Sequence, residues 1–138
     1  LDGDNLRTGL CRDLGFSPSD RAENVRRTAE TAKILNDAGI ISIVSLVSPV
    51  EKDRKNAADI IGDGFISVYV KASAEICRSR DKKGYYEKAS SGIIKNFTGV
   101  SSGYEPPENP DIILDTERLS PKSCSEAVIN LLKARNLI

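Results

Sequence analysis

Two aspartates at the start of the chain, Asp2 and Asp4, flank a glycine, and five arginines follow before residue 28: Arg7, Arg12, Arg21, Arg26 and Arg27. Carboxylates two apart at a strand end reach one site, where they can hold Mg²⁺ through water or orient and deprotonate a hydroxyl. A guanidinium offers a rigid bidentate fork that matches phosphate or sulfate. Each of these residues also has an ordinary use, as an Asp-Gly turn with capping aspartates or as a solvated helix face. It is the concentration of arginines beside the carboxylates that favours an anion site. Phe16 and Phe97 are two of only three phenylalanines, and both fall outside regular elements. From such positions an aromatic ring can stack on a base, or close a small packing cluster. In contrast, Glu51, Lys52, Asp53, Arg54 and Lys55 follow Pro49 in a helical pattern and read mostly as a solvated face.

Composition narrows the partners. The 138 residues carry 20 Lys+Arg against 20 Asp+Glu and no His, a formal net charge of zero. That balance argues against general attraction to nucleic acid or to an anionic membrane. The lack of His removes imidazole bases and imidazole metal ligands. At 39% hydrophobic and 29% charged residues the chain is too apolar for disorder, and no apolar run reaches the ~18 residues that cross a bilayer. Cys11, Cys77 and Cys124 form no CxxC pair and read as reduced thiols of a cytoplasmic protein. The chain contains no Met and opens on Leu1 without a secretory-type start, so it is expected to be a piece of something longer.

The elements that must position these residues alternate helix and strand, the pattern of an α/β domain without repeats or linkers, here taken as one domain, 1–138. Residues 5–14 are predicted as a short helix. Ser17-Pro18-Ser19-Asp20 starts a long one, with Val25, Ala29, Ala32 and Leu35 inward and Gly39 as its stop. The run Ile40–Val47 predicts a strand covered on both faces. A helix from Pro49 to about Ile61, a strand over Phe65–Val70, and short helices over Ser73–Ser79 and Tyr85–Ser91 follow. A loop from Gly92 to Pro110, rich in Gly, Ser and Pro, is long enough to be functional. A third strand over Ile112–Leu114 and a final helix from Ser120-Pro121, with Ala127, Val128, Leu131 and Leu132 inward, complete the chain. Leu1–Asp4 reads as the end of a further strand at a carboxyl edge, where open α/β sheets bind ligands.

Residue blocks in order along the whole chain then point to a family. Leu1-Asp2-Gly3-Asp4-Asn5-Leu6-Arg7, Asp13-Leu14-Gly15-Phe16-Ser17 and Asp20–Arg27 closely resemble adenosine 5′-phosphosulfate (APS) kinases. So do Ser48-Pro49, Cys77–Asp81, Lys83-Gly84-Tyr85-Tyr86, Phe97-Thr98-Gly99 and Tyr104-Glu105-Pro106. The resemblance implies a P-loop kinase fold, a parallel sheet flanked by helices. It implies transfer of the γ-phosphoryl of ATP, with Mg²⁺, to the 3′-hydroxyl of APS. It makes Asp2 the acid/base or Mg-water-organising carboxylate. Asp4, Arg7, Arg21 and Asn24 would hold the phosphosulfate and ribose, and Phe16 and Phe97 would sandwich the adenine. Val47, Ser48, Lys83 and Asn96 would complete the acceptor pocket, and Cys77, Arg80 and Leu119 would lie on the nucleotide side. No side chain is assigned as a direct metal ligand. The long loop would act as a lid that excludes water. A homodimer and a fused or associated ATP sulfurylase are the implied partners, with no nucleic acid and no membrane.

Two departures qualify the resemblance. No G-x-x-x-x-G-K-[ST] occurs, and the family's strand–P-loop–helix is expected upstream of Leu1, where it would supply a central strand. Without it the 138 residues should lack ATP binding and fold poorly. Lys88-Ala89-Ser90-Ser91-Gly92-Ile93 and Ser101 also differ from the family's usual charged versions. The alternatives are a kinase-like module that binds APS or dimerises without catalysis, and a kinase for another small hydroxyl acceptor.

Overall fold

A computed structural model describes residues 1–138. The chain forms two compact units, Leu1–Phe65 with Lys95–Pro106, and Ile66–Ile94 with Pro107–Ile138.

The first unit is built on α1 (Gly3–Thr8), α2 (Pro18–Asp37) and α3 (Glu51–Ile61). The α2 start follows its sequence signature. The Ser17 side chain accepts from Asp20 N–H, the Asp20 carboxylate accepts from Ser17 N–H, and Pro18 occupies the first turn. This reciprocal arrangement satisfies two backbone donors that a helix start otherwise leaves unpaired. The inward face of α2 then buries Val25 and Ala29 against Ala57 of α3, with Leu46, Ile60, Ile61 and Phe65 around them. The three buried side chains, Val25, Ala29 and Ala57, are small, so the two helices can approach closely.

The second unit holds β1 (Val68–Lys71) and β2 (Ile112–Asp115), paired in parallel with Val68 opposite Ile112 and Lys71 opposite Asp115. Parallel neighbours need a crossover, and α4 (Ala74–Ser79) and α5 (Tyr85–Ser90) lie within it. Helix α6 (Pro121–Ala134) is capped by Ser120, whose side chain accepts from Ser123 N–H. The Asp111 carboxylate accepts from Ser67 N–H at 2.6 Å and pairs with Arg135, which ties the start of β2 to the last helix. No helix of the structure is long and apolar enough to cross a membrane.

The fold is therefore α/β with a parallel sheet flanked by helices, and four expectations need correction. The helix expected over 5–14 is only α1, after which residues 9–13 continue as turns. The strand expected from Phe65 begins at Val68. The run Ile40–Val47 is not a strand, because its ladder is limited to one isolated bridge, Asp2 to Ser45. Nor is it covered: Ile43 is 82% exposed, and Ile40, Ile41, Val44 and Val47 are exposed as well. Two strands, not three, follow Leu1. A β-branched run encodes a strand's preference for extended backbone, but regular strand needs a continuous hydrogen-bonded neighbour.

Candidate active site

The chain start is pinned alongside residues 43–45. Ser45 N–H donates to Leu1 C=O at 2.9 Å and Gly3 N–H donates to Ser45 C=O at 3.0 Å. This one parallel bridge at Asp2 is all that forms of the strand end expected at Leu1–Asp4, since Gly3 and Asp4 already belong to α1. A side chain at position 3 would meet Leu46 at 2.9 Å, so glycine lets the two segments approach. Asp2 then caps α1, its Oδ1 accepting N–H bonds from Asp4 and Asn5, both at 3.1 Å. The cap fixes the carboxylate at the lip of a cavity of about 350 Å³.

That cavity lies wholly within the first unit, and its lining brings together Asp2, Asp4, Arg7, Phe16, Arg21, Asn24, Val47 and Ser48. These are eight of the eleven acceptor-side residues expected from the sequence. Arg7 donates to the carbonyls of Leu14 and Gly15, and its guanidinium stands 4.3 Å from the Phe16 ring centre. Arg21 donates to Phe16 C=O at 3.2 Å and Asn96 C=O at 2.7 Å. Carbonyl oxygens satisfy these N–H groups without cancelling their charge. Burial, and then the neighbouring Arg7 charge, pull the Arg21 pKa below its ordinary value. Two like charges held this close mark a place that favours an anion.

Asn24 adds a sharper sign. Its residue is only 5% exposed, and its Nδ2 has no hydrogen-bond partner. An orphaned buried donor costs about 1–3 kcal/mol, so a polar partner from the cavity would recover free energy. The remaining arginines are spent elsewhere. Arg26 pairs with Glu23 and Glu30, and Arg27 with Asp13 and Glu23. Of the five arginines, two thus face the cavity and two staple α2, while Arg12 does neither.

These features match a known family. A model of the adenylylsulphate kinases matches residues 1–115. The chain belongs to the adenylylsulphate kinase family. Adenylyl-sulfate kinase of Acaryochloris marina is 50% identical over 139 residues, spanning 100% of this chain and 68% of that protein. The enzyme of the same name from Clostridium acetobutylicum is 48% identical, spanning 100% and 69%. The structure of the Mycobacterium tuberculosis APS kinase CysC in complex with AMPPNP and APS is 43% identical. It superposes with a TM-score of 0.87, covering 96% of this chain and 78% of that one.

The other expected residues sit as follows. Asn96, with φ of 57°, is tied to Arg21 through its carbonyl, and half-buried Phe97 follows it, but neither lines the cavity. Lys83, Cys77, Arg80 and Leu119 belong to the second unit. There Arg80 donates to the Thr116 hydroxyl at 3.1 Å and carbonyl at 2.8 Å, just past β2. Leu119 N–H returns to Asp115 C=O at 2.8 Å, so Arg80 and Leu119 share the carboxyl end of β2. Cys77 lies within interaction range of Tyr86, whose phenol is pushed up by burial first and by the thiol next.

The face expected to be solvated after Pro49 is the main miss. The Glu51 and Arg54 side chains are only 18% and 14% exposed, and Arg54 reaches Ser48 on the cavity wall. A helical pattern of alternating charges gives no hint that one of them turns back over its own N-terminus.

Proposed function

We propose that the cavity is the acceptor site of an ATP-dependent adenylylsulphate kinase that phosphorylates the 3′-hydroxyl of APS. The observation that carries this reading is the convergence, in a chain of this family, of Arg7, Arg21, the unpaired Asn24 amide, Phe16 and Asp2 on one cavity.

The chemistry follows from what each side chain offers. Arg7 and Arg21 bind the phosphosulfate anion, and Asn24 Nδ2 donates to a ribose or phosphosulfate oxygen. Phe16, whose ring also meets the Arg7 and Arg21 guanidinium groups at 4.3 and 5.5 Å, offers its exposed surface to the adenine, and Phe97 closes the other side of the base. Val47 and Ser48 complete the cavity wall, and Asn96 and Lys83 are further acceptor-binding residues in this proposal. Asp2, held by its two cap hydrogen bonds, orients the 3′-hydroxyl and accepts its proton as that oxygen bonds to the γ-phosphorus and the bond to ADP breaks. Phosphoryl transfer asks mainly for such positioning and charge neutralisation. The carboxylates of Asp2 and Asp4 are the hard oxygen donors that suit Mg²⁺. Bound there through water, Mg²⁺ would neutralise charge developing on the phosphate oxygens. Arg80, Cys77 and Leu119 form the ATP side, and the long loop after Gly92 excludes water. One catalytic domain spanning 1–138, a homodimer and association with an ATP sulfurylase belong to the same proposal.

The test is an assay of ATP-dependent conversion of APS to its 3′-phosphorylated product, by a protein spanning the family's full length. Asp2→Asn keeps a side chain able to cap α1 but removes the base. It should lower kcat by about 100-fold or more while APS affinity changes little. Full activity in this variant rejects the role of Asp2. A wild-type protein that binds APS without phosphorylating it is instead a binding module.

A further inference from the structure

Ser48 has a φ of 37°, a left-handed conformation uncommon for a residue with a side chain, and it stands on the wall of the acceptor cavity. Its carbonyl is held by Arg54, whose Nη1 donates to it at 2.5 Å. The same guanidinium donates through Nη2 to the carbonyl of Glu105 at 2.5 Å, and through Nε and Nη2 to the Glu51 carboxylate at 3.0 and 2.5 Å. Glu105 reinforces the junction from the loop side. Its carboxylate accepts Glu51 N–H at 2.6 Å, and its own N–H donates to Pro49 C=O at 2.8 Å. The Tyr104 ring lies 5.6 Å from the Arg54 guanidinium. One largely buried side chain therefore joins a strained residue of the cavity wall to the stem of segment 95–106. That segment's other end, at Asn96, hangs from Arg21 of the same cavity.

We infer that Arg54 is a positioning residue for the acceptor: it locks Ser48 in its left-handed conformation and moors segment 95–106 to the cavity wall, so that acceptor affinity depends on it without direct contact. The inference rests on the reading of the cavity as the acceptor site. The donors that serve two carbonyls and a carboxylate here are spread over all three guanidinium nitrogens, whereas a lysine's three donors radiate from one. A lysine keeps the charge beside Glu51 but cannot reproduce that geometry.

The experiment compares Arg54→Lys and Arg54→Met with wild type in the full-length protein. Both variants should raise KM for APS about tenfold or more while KM for ATP stays within about twofold. By hydrogen exchange, the amides of Glu51 and Glu105 should lose protection while those of Val25 to Ala32 keep theirs. Unchanged KM for APS, or parallel loss of affinity for both substrates with general loss of protection, overturns the inference. Should Arg54→Met fail to fold, Arg54→Lys, which retains the Glu51 pair, carries the same test. A wild-type protein inactive on APS rejects the acceptor reading, whereas the exchange pattern still decides whether Arg54 moors the segment.

Discussion

A buried amide without a partner separates binding from stability at a single residue. Replacing Asn24 by Leu removes the orphaned Nδ2 while keeping side-chain bulk. Thermal stability should hold or rise, because an unsatisfied buried donor is gone. APS affinity should fall about tenfold or more, measured by titration calorimetry. A loss of stability with unchanged affinity would return Asn24 to a purely structural part. Phe16 makes the complementary case. Its ring is exposed, yet Arg7 stands over it at 4.3 Å. Phe16→Ala should weaken APS binding by about 1–3 kcal/mol if the ring stacks on the adenine. The variant should lower the melting temperature only modestly, since Phe16 is 54% exposed.

Helix α2 is the element on which the site depends, for it carries Arg21 and Asn24 and its N-terminus follows directly on Phe16. Its capping box should make Ser17→Ala cost about 1 kcal/mol of stability, read from urea denaturation. Further along, Glu23 accepts hydrogen bonds from Arg26 and then Arg27, which lower its pKa from 4.5 to about 2. A carboxylate depressed on folding stabilises the protein fully above its unfolded pKa. That contribution is lost as pH falls through the folded value. The melting-temperature difference between wild type and Glu23→Gln should therefore be constant above about pH 5 and shrink steadily from there towards pH 2. A difference that does not change with pH would show that the Arg26 and Arg27 contacts do not couple to folding.

At the scale of the whole molecule, the chain passes three times between its two units, at 65/66, 94/95 and 106/107. The first unit thus consists of two separate stretches of sequence; only the first lines the cavity, and the contacts of Arg21 and Arg54 join the second to it. The exposed run Ile40–Val47 is the other feature of this scale. Extended β-branched residues with open hydrogen-bonding groups pair readily with another chain. The 138-residue chain studied alone should self-associate at micromolar concentration. Ile43→Lys should reduce that association in sedimentation velocity, and equal association in both proteins would exclude the run as its cause.

What local chemistry encodes was readable in the residues themselves. The Ser17 cap with Pro18 behind it, the helix start at Ser120-Pro121 and the α2 core face all rest on neighbours a few positions apart. Family resemblance added the roles of Asn24 and Ser48, which spacing by itself did not single out. The tertiary structure decided the rest, because those outcomes depend on partners far away in sequence. It spent Arg26 and Arg27 on ion pairs, reduced the Ile40–Val47 strand to one bridge, and left Asn24 buried without a partner. It also drew Arg54 from an expected solvated face to the junction of Ser48 and Glu105, 51 residues apart from its loop partner. A side chain's type states which bonds it can make, but only the folded backbone determines which groups stand within reach.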